Sequence, residues 1–206
     1  DGKSDKVKAD KILLSIGRRA VTQGIGLENI GVNLERGAIV TDDMMRTNVA
    51  NVYAVGDVNG KVMLAHTAYR EAEVAVNHMV GIKDEMRYDV IPSVIYTDPE
   101  VASVGYSADG AKEAGMTVKE VKLPMSYAGR YLAETNGGKG FIKLVVDTDK
   151  NRLVGCHMVG SYASEIIYGA AAMVAKHQRV ADVQKIVFPH PSVCEVIREG
   201  IFEFND

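Results

Sequence analysis

Cysteine is scarce in this sequence, which contains only Cys156 and Cys194 among its 206 residues. The two lie far apart in the chain, so their spacing matches neither a redox-active pair nor a zinc site. We therefore predict no metal site, and a reduced, cytoplasmic setting is the simplest interpretation. Apolar runs long enough to cross a bilayer are also missing, and no signal peptide is predicted.

A strong excess of one charge is missing as well. The formal net charge of -3 at pH 7 gives no reason to expect nucleic acid or an anionic membrane surface as a partner. What is present, 47% hydrophobic and 25% charged residues, is typical of an ordinary globular protein. The chain starts Asp-Gly-Lys-Ser-Asp without an initiating methionine, so we expect a processed or truncated piece.

The first half of the sequence predicts two strands and one helix. Residues 7–16 alternate and then run apolar, which predicts a strand entering a core. Residues 51–57 predict a short buried strand that ends in Gly-Asp, and residues 64–80 have the spacing of a helix. Composition shifts at residues 81–89, where we expect an exposed connection between two domains.

The second half of the sequence predicts an α+β fold, because strands come first and helices follow. Strands are predicted at residues 90–96, 101–106 and 116–125, and residues 141–146 and 153–159 predict a hairpin. Helices are predicted at residues 107–115, 162–176 and 193–204. The long helix at 162–176 is apolar broadly enough to face both a sheet and a second surface.

Asp57 ends a predicted strand just before a predicted helix, which is where open α/β sheets bind ligands. Its carboxylate could accept a hydrogen bond from a sugar-like hydroxyl while the helix amides face an electron-rich group. Alternatively, Asp57 is a turn residue. His66, at the start of the helix, could contact the same ligand or be structural, whereas His78, His157 and His177 have no second ligand at metal spacing.

His190 lies between two prolines, and Glu195 follows five positions later. In a catalytic interpretation, Glu195 accepts a proton from one ring nitrogen of His190, so that the other nitrogen can take a proton from a substrate. In a structural interpretation, Ser192 and Glu195 form a capping box at a helix start. The two roles are compatible if the glutamate oxygens are shared.

Four segments, in this order, resemble the second half of the pyridine nucleotide-disulfide oxidoreductases. They are Leu-Leu-Ser-Ile-Gly-Arg at 13–18, Val-Tyr-Ala-Val-Gly-Asp at 52–57 with Met-Leu-Ala-His at 63–66, Ile-Tyr-Thr-Asp-Pro-Glu-Val-Ala-Ser-Val-Gly at 95–105, and His190-Pro191 with Glu195. Within this family, the third segment most resembles the dihydrolipoamide dehydrogenase branch. The resemblance covers essentially the whole chain.

The resemblance implies a domain organisation. Residues 1–18 would be the end of the NAD-binding domain, and residues 19–85 the central part of the FAD-binding region, so that part of an α/β nucleotide-binding region comes first. Residues 90–206 would be the α+β interface domain, through which these enzymes form homodimers.

The resemblance also implies site residues. His190 would be the catalytic base and Glu195 its orienting partner, with a cis His190-Pro191 bond. Asp57 would bind the flavin ribityl chain, Ala65 would present its backbone at the helix start, and Gly17 would lie near the nicotinamide nucleotide. The full set of expected cofactor-binding residues is Gly17, Gly56, Asp57, Leu64, Ala65 and His66.

By the same resemblance, the parent enzyme oxidises dihydrolipoamide through a redox disulfide and FAD, with NAD as hydride acceptor. Its partners would be a second copy and the lipoyl domains of 2-oxo acid dehydrogenase complexes or of the glycine cleavage system. This sequence departs from the family because it lacks a redox cysteine pair and an N-terminal glycine fingerprint. We therefore expect the C-terminal part of such an enzyme, inactive in isolation. The alternatives are a catalytically silent dimerisation module and the same half of a sibling flavin disulfide reductase.

Overall fold

The computed structural model describes residue 2 and residues 4–204. The chain divides into two compact units, one ending at Met86 and the other beginning at Arg87. The division falls within the connection expected around residues 81–89. The assignment of the units to nucleotide-binding and interface domains remains a prediction.

The first unit contains little regular structure. Two-residue strands β1 (Leu34–Glu35) and β2 (Ala38–Ile39) pair antiparallel. Short 3-10 helices form at Leu27–Asn29 and Gly56–Asn59. Helix α1 (Ala65–Met79) confirms the helix predicted at residues 64–80. One aliphatic cluster of this unit is built on Val32, Ile39 and Ala54, and Met45, Val74 and Met86 are buried as well.

The strand predicted at residues 7–16 is wrong. This segment has no regular secondary structure, and Val7, Ile12 and Leu13 are about nine-tenths exposed, at 90%, 90% and 91%. A β-strand needs a neighbouring strand to accept and donate its backbone hydrogen bonds. Within the described residues no strand pairs with this segment, so its apolar pattern has nothing to pack against.

The strand predicted at residues 51–57 is also wrong. Only Tyr53 forms a bridge, with Arg46, and the segment then enters the 3-10 helix Gly56–Asn59. Asn51 and Gly56 have positive φ angles of 64° and 79°, which turn the backbone at both ends of the apolar stretch. The stretch is therefore too short and too curved to extend a ladder.

Within residues 87–204, the second unit is built on a five-stranded antiparallel sheet. In chain order its strands are β3 (Ser93–Ile95), β4 (Val101–Gly105), β5 (Val118–Pro124), β6 (Phe141–Asp147) and β7 (Arg152–Val159). Their order in the sheet is β3-β4-β7-β6-β5. The predicted hairpin is confirmed as β6 and β7, which pair Leu144 with Cys156 and Ile142 with Met158.

The described part of the second unit contains five α-helices. They are α2 (Ala108–Glu113), α3 (Gly129–Thr135), α4 (Ala163–Ala175), α5 (Val180–Val183) and α6 (Glu195–Phe202). Helix α2 packs in a cluster with Val145 and Val154 that is separate from the main core. Side chains of α4 and α6 share a single buried cluster with Leu144, Cys156 and Met158 of the sheet. No helix in the described part of the chain is long and apolar enough to cross a membrane. The predicted α+β class is confirmed.

Close packing in this cluster depends on one glycine. A Cβ at Gly200 of α6 would lie 2.6 Å from the Cδ1 atom of Leu144. Helix α6 therefore approaches the sheet more closely than a side chain at this position allows. This close approach sets the distance between α6 and the sheet. It thereby also positions the loop that precedes the helix.

Candidate functional site

The loop before α6 carries His190 between Pro189 and Pro191. The His190-Pro191 peptide bond is cis, which confirms that prediction. The Asp98-Pro99 bond is cis as well, and nothing in the sequence analysis predicted it. Buried Val193, Val196 and Ile197 anchor the end of the loop and the start of α6 in the core.

His190 and Glu195 form a hydrogen-bonded pair. The Nδ1 atom of His190 lies 2.9 Å from the Oε1 atom of Glu195. The His190 side chain is 81% exposed, whereas that of Glu195 is only 18% exposed. A carboxylate accepts here, so Nδ1 carries the proton and Nε2 has the free lone pair. This geometry brings the two predicted catalytic residues together and can hold the imidazole as a base.

Glu195 uses its second oxygen to hold the backbone. Its Oε2 atom accepts a hydrogen bond of 2.8 Å from the backbone N–H of Ser192. The hydroxyl of Ser192 donates instead to the carbonyl of Pro189, at 2.6 Å. Only half of the predicted capping box therefore forms, and the predicted helix start is wrong by two residues because α6 begins at Glu195, with Cys194 as its N-cap.

The pKa of Glu195 is lowered from its ordinary value, first by the hydrogen bond from the Ser192 N–H and then by the hydrogen bond from His190. Hydrogen bonds to the ionised form favour that form. Glu195 is therefore a carboxylate at neutral pH and remains an acceptor for the imidazole N–H.

The two cysteines occupy different environments, and both are free thiols. Cys156 is fully buried in β7, and burial raises its pKa, so the thiol acts as a packing group. Cys194 is partly exposed, and its Sγ atom lies 3.1 Å from the hydroxyl oxygen of Ser192.

The three histidines other than His66 and His190 each have a local hydrogen-bond partner. His78 Nδ1 lies 2.8 Å from the Tyr53 hydroxyl, and His157 Nε2 lies 3.0 Å from the Tyr106 carbonyl. His177 Nδ1 lies 3.3 Å from a guanidinium nitrogen of Arg152. Among the described residues, no group of three or more potential ligands could hold a metal ion.

The expected cofactor residues of the first unit lie on one turn and one helix start. Gly56 opens the 3-10 helix with a φ of 79°, and exposed Asp57 follows it. Helix α1 begins at Ala65, and its N-cap residue Leu64 provides no side-chain cap. Ala65 and His66 are exposed at this helix start. The structure therefore leaves the positive end of α1 open to an electron-rich group.

Gly17 differs from the other expected cofactor residues. It lies in the irregular segment that follows residues 7–16, and its φ is 131°. No atom lies within 4 Å of the position that a Cβ would occupy. The structure therefore shows no group at that position that could form a binding surface together with Gly17.

A cavity of about 500 Å³ lies in the first unit, and the sequence analysis missed it. Arg18, Arg36 and Lys61 contribute positive charge to its lining, against one carboxylate from Glu35. Asn59, which is 6% exposed, also lines the cavity, and its Nδ2 atom is buried without a hydrogen-bond partner. A positively charged lining with an unpaired buried donor suits an anionic ligand.

Glu71 is a further residue that the sequence analysis missed. Its side chain is fully buried at 0% exposure, and its Oε2 atom lies 2.6 Å from the backbone nitrogen of Gly56. One signal was available: Glu71 falls on the same helical stripe as Thr67 and Val74, which face the interior. A carboxylate on a buried stripe needs a partner.

The sheet-and-helix architecture of the second unit agrees with one family of oxidoreductases. The model of the pyridine nucleotide-disulphide oxidoreductase dimerisation domain matches residues 91–201, and a second pyridine nucleotide-disulphide oxidoreductase model matches residues 1–72. The first match covers more than half of the chain. The chain therefore belongs to the pyridine nucleotide-disulphide oxidoreductases.

Curated relatives within this family are dihydrolipoyl dehydrogenases. The chain is 39% identical over 192 residues to that of Chlamydia muridarum, covering 93% of this chain and 41% of the relative. It is 39% identical over 200 residues to that of Thermus scotoductus, covering 97% and 43%, and 36% identical over 201 residues to that of Bacillus subtilis, covering 97% and 42%. The resemblance to the dihydrolipoamide dehydrogenase branch is confirmed, and the chain spans about two fifths of the length of these relatives.

Solved structures show the same fold. LpdA from Mycobacterium tuberculosis matches with a TM-score of 0.87 at 26% identity, covering 94% of this chain and 42% of that one. The HOCl-induced flavoprotein disulfide reductase RclA from Escherichia coli matches with a TM-score of 0.81 at 24% identity, covering 93% and 44%. The second likeness concerns the fold alone.

Proposed function

We propose that this chain is the C-terminal part of a dihydrolipoyl dehydrogenase and supplies its dimerisation domain and its His–Glu base. The single observation that carries this proposal is the bond between His190 Nδ1 and Glu195 Oε1, with the rest of the imidazole exposed. The curated dihydrolipoyl dehydrogenases that the chain resembles over nearly its whole length support it.

In the proposed reaction, Nε2 of His190 takes the proton from a thiol of dihydrolipoamide. Glu195 keeps Nδ1 protonated and stabilises the imidazolium that forms. The thiolate can then attack a redox disulfide, forming a mixed disulfide and releasing the other cysteine sulfur as a thiolate. That redox disulfide must lie outside this sequence, since Cys156 is buried and Cys194 has no neighbouring cysteine.

FAD, when bound, would carry the two electrons from the dithiol to NAD. Asp57 would accept a hydrogen bond from a ribityl hydroxyl, and the backbone at Leu64, Ala65 and His66 would face the flavin ring. The exposed Asp57 carboxylate and the uncapped start of α1 support this assignment. The positive lining contributed by Arg18, Arg36 and Lys61 suits a cofactor that carries a diphosphate. Gly17 is proposed to lie near NAD.

The proposed homodimer involves the outward side of α4. Tyr168 is 77% exposed on this helix, and Ala172, one turn further along, is exposed as well. The opposite side packs Ile167, Ala170 and Val174 into the core, so the helix is apolar on two sides. A second copy of the chain would cover the outward side. We further propose lipoyl domains as partners and a cytoplasmic location.

The variant His190→Gln tests the catalytic assignment in the complete enzyme. We expect lipoamide turnover to fall at least about 100-fold, which is the lower range for loss of a general base, while bound flavin remains unchanged. His177→Gln is the matched control, because His177 is exposed and bonded to Arg152. Unchanged turnover in His190→Gln would contradict the assignment.

A titration of the 206-residue chain with FAD, followed by flavin fluorescence, tests the cofactor surface. Saturable quenching that is lost in Asp57→Ala is the expected result. Absence of binding by the wild-type chain would mean that Asp57 and the start of α1 form no usable surface without the rest of the enzyme.

A second candidate function is a catalytically silent dimerisation module. The observation that favours it is the large hydrophobic cluster of residues 87–204, which joins the sheet to α4 and α6. This candidate predicts a stable dimer without cofactor, measurable by sedimentation equilibrium. A folded monomer at micromolar concentration would count against it. The same half of a sibling disulfide reductase remains an alternative within the enzyme class.

A further inference from the structure

We propose that Glu71 is a positioning residue that holds the Gly56–Asp57 turn in the conformation that presents the Asp57 carboxylate to the flavin. The inference rests on the proposed cofactor role of Asp57, and it adds a residue that does not itself contact the cofactor. The contact that carries it is the bond between the Oε2 atom of Glu71 and the backbone nitrogen of Gly56, at 2.6 Å.

The burial of Glu71 makes this contact strong. Its side chain has 0% exposure, so little water competes for the carboxylate oxygen. A hydrogen bond in a protein interior is electrostatically stronger than one in water. Loss of the acceptor would leave the Gly56 N–H without its described partner in a buried position.

The location of the bond within the turn gives it a specific effect. Gly56 is the first residue of the 3-10 helix Gly56–Asn59, so its N–H is one of the donors that the helix itself does not satisfy. Glu71 satisfies that donor from 15 residues further along the chain. The bond thereby ties the start of the turn to the middle of α1.

Other contacts restrict the same turn. A Cβ at Gly56 would lie 3.3 Å from the Cβ of Ala68, which is one helical turn before Glu71 on the same side of α1. At the other end of the turn, the Gly60 N–H donates to the Asp57 carbonyl, and the Asn59 side chain accepts from the Lys61 N–H. The backbone of Asp57 is fixed on both sides, while its carboxylate points to solvent as an exposed group.

Two substitutions at the same position separate positioning from packing. Glu71→Gln keeps an acceptor of the same reach, whereas Glu71→Leu has a similar volume and no acceptor. Glu73→Leu is the matched control on the same helix, since Glu73 is largely exposed and pairs with Arg70. Amide hydrogen exchange of Gly56 and Asp57, measured by NMR on the chain without cofactor, reports the turn directly. FAD affinity of the same variants reports its effect on the cofactor surface.

We expect exchange at Gly56 to accelerate about tenfold or more in Glu71→Leu, and FAD affinity to fall by a similar factor. Glu71→Gln should restore both to within about threefold, and Glu73→Leu should leave both unchanged. Unchanged exchange at Gly56 in Glu71→Leu would overturn the inference. So would a loss of protection spread over all of α1, because Glu71 would then only hold the helix. If the wild-type chain binds no FAD, the proposed cofactor surface fails, and the exchange data alone decide the role of Glu71 in the turn.

Discussion

The two units of this chain differ in how their apolar residues are used. In residues 87–204, the sheet and its helices bury one continuous cluster that includes Leu144, Met158 and Ile197. In the first unit, one buried aliphatic cluster contains Val32, Ile39 and Ala54, and Met45 and Val74 are also fully buried. Several large apolar side chains of that unit, such as Leu13 and Ile16, remain exposed at 91% and 87%.

The second unit buries more hydrophobic side chains than the first. Hydrophobic burial is the main favourable contribution to folding, and it scales with the apolar area removed from water. The second unit therefore contains the means to fold by itself. The first unit supports the proposed cofactor turn mainly through α1, with Glu71 bonded to Gly56 and Arg70 bonded to Asp84.

The largest expected effect comes from Leu144→Ala. Leu144 is fully buried and lies under Gly200, so truncation leaves a cavity that should lower the free energy of unfolding of the second unit by about 2–5 kcal/mol. Leu13→Ala is the matched change in the first unit and should alter stability by less than about 0.5 kcal/mol. Urea denaturation, with amide exchange to separate the two units, gives both values. Equal losses of stability in Leu144→Ala and Leu13→Ala would contradict the difference in hydrophobic burial between the two units.

An intermediate effect is expected from a charge on the outward side of α4. Tyr168→Glu should weaken self-association at least about tenfold, because a carboxylate would be desolvated in the proposed dimer. Tyr69→Glu is the matched control, since Tyr69 is 73% exposed on α1 of the first unit. Sedimentation equilibrium measures both dimer constants. If Tyr69→Glu separates the dimer and Tyr168→Glu does not, the association surface belongs to the other unit.

The smallest effect is a pH dependence at Glu195. Its pKa is lowered in the folded chain by the Ser192 N–H and by His190, so ionisation of Glu195 favours the folded state. This contribution is fully present above the ordinary glutamate pKa of about 4.3, and it is lost as the pH falls through the lower folded value. The stability difference between wild type and Glu195→Gln should therefore shrink as the pH falls below about pH 4.

Urea denaturation across this pH range tests the prediction in the second unit. Asp84→Asn is the corresponding change in the first unit, because hydrogen bonds from Arg70 and then from Asn77 lower the pKa of Asp84. Its pH dependence should appear in the amide exchange of the first unit and leave that of the second unit unchanged. A Glu195 contribution that grows on acidification would contradict the assigned hydrogen bonds.

Elements whose hydrogen-bond and packing signals are local in the sequence could be predicted from it. The hairpin of β6 and β7, helix α1 and helix α4 agree with the predictions because their side-chain periodicity and end signals are local. The predicted strand at residues 7–16 failed for the opposite reason: alternating apolar residues form a strand only where another strand supplies hydrogen bonds. No described strand pairs with that segment.

Part of the candidate site could be predicted as well. His190 and Glu195 were identified by spacing and by resemblance, and their side chains are hydrogen-bonded. The capping-box interpretation expected the Ser192 hydroxyl at the helix start, but this hydroxyl donates to the Pro189 carbonyl instead. Glu71 was not singled out, because its partner is a backbone N–H, which no side-chain pattern reveals.

The carboxylate of Glu195 also limits which mutations this loop can tolerate. Its two oxygens each accept from a different donor, the Ser192 N–H and His190. Glutamine offers one oxygen and one amino group, so it can satisfy only one of these donors, and aspartate is shorter by a methylene. A single substitution at this position therefore changes the start of the last helix and the tautomer of the base together. No single mutation of Glu195 can therefore change the local fold and leave the proposed base unchanged, or the reverse.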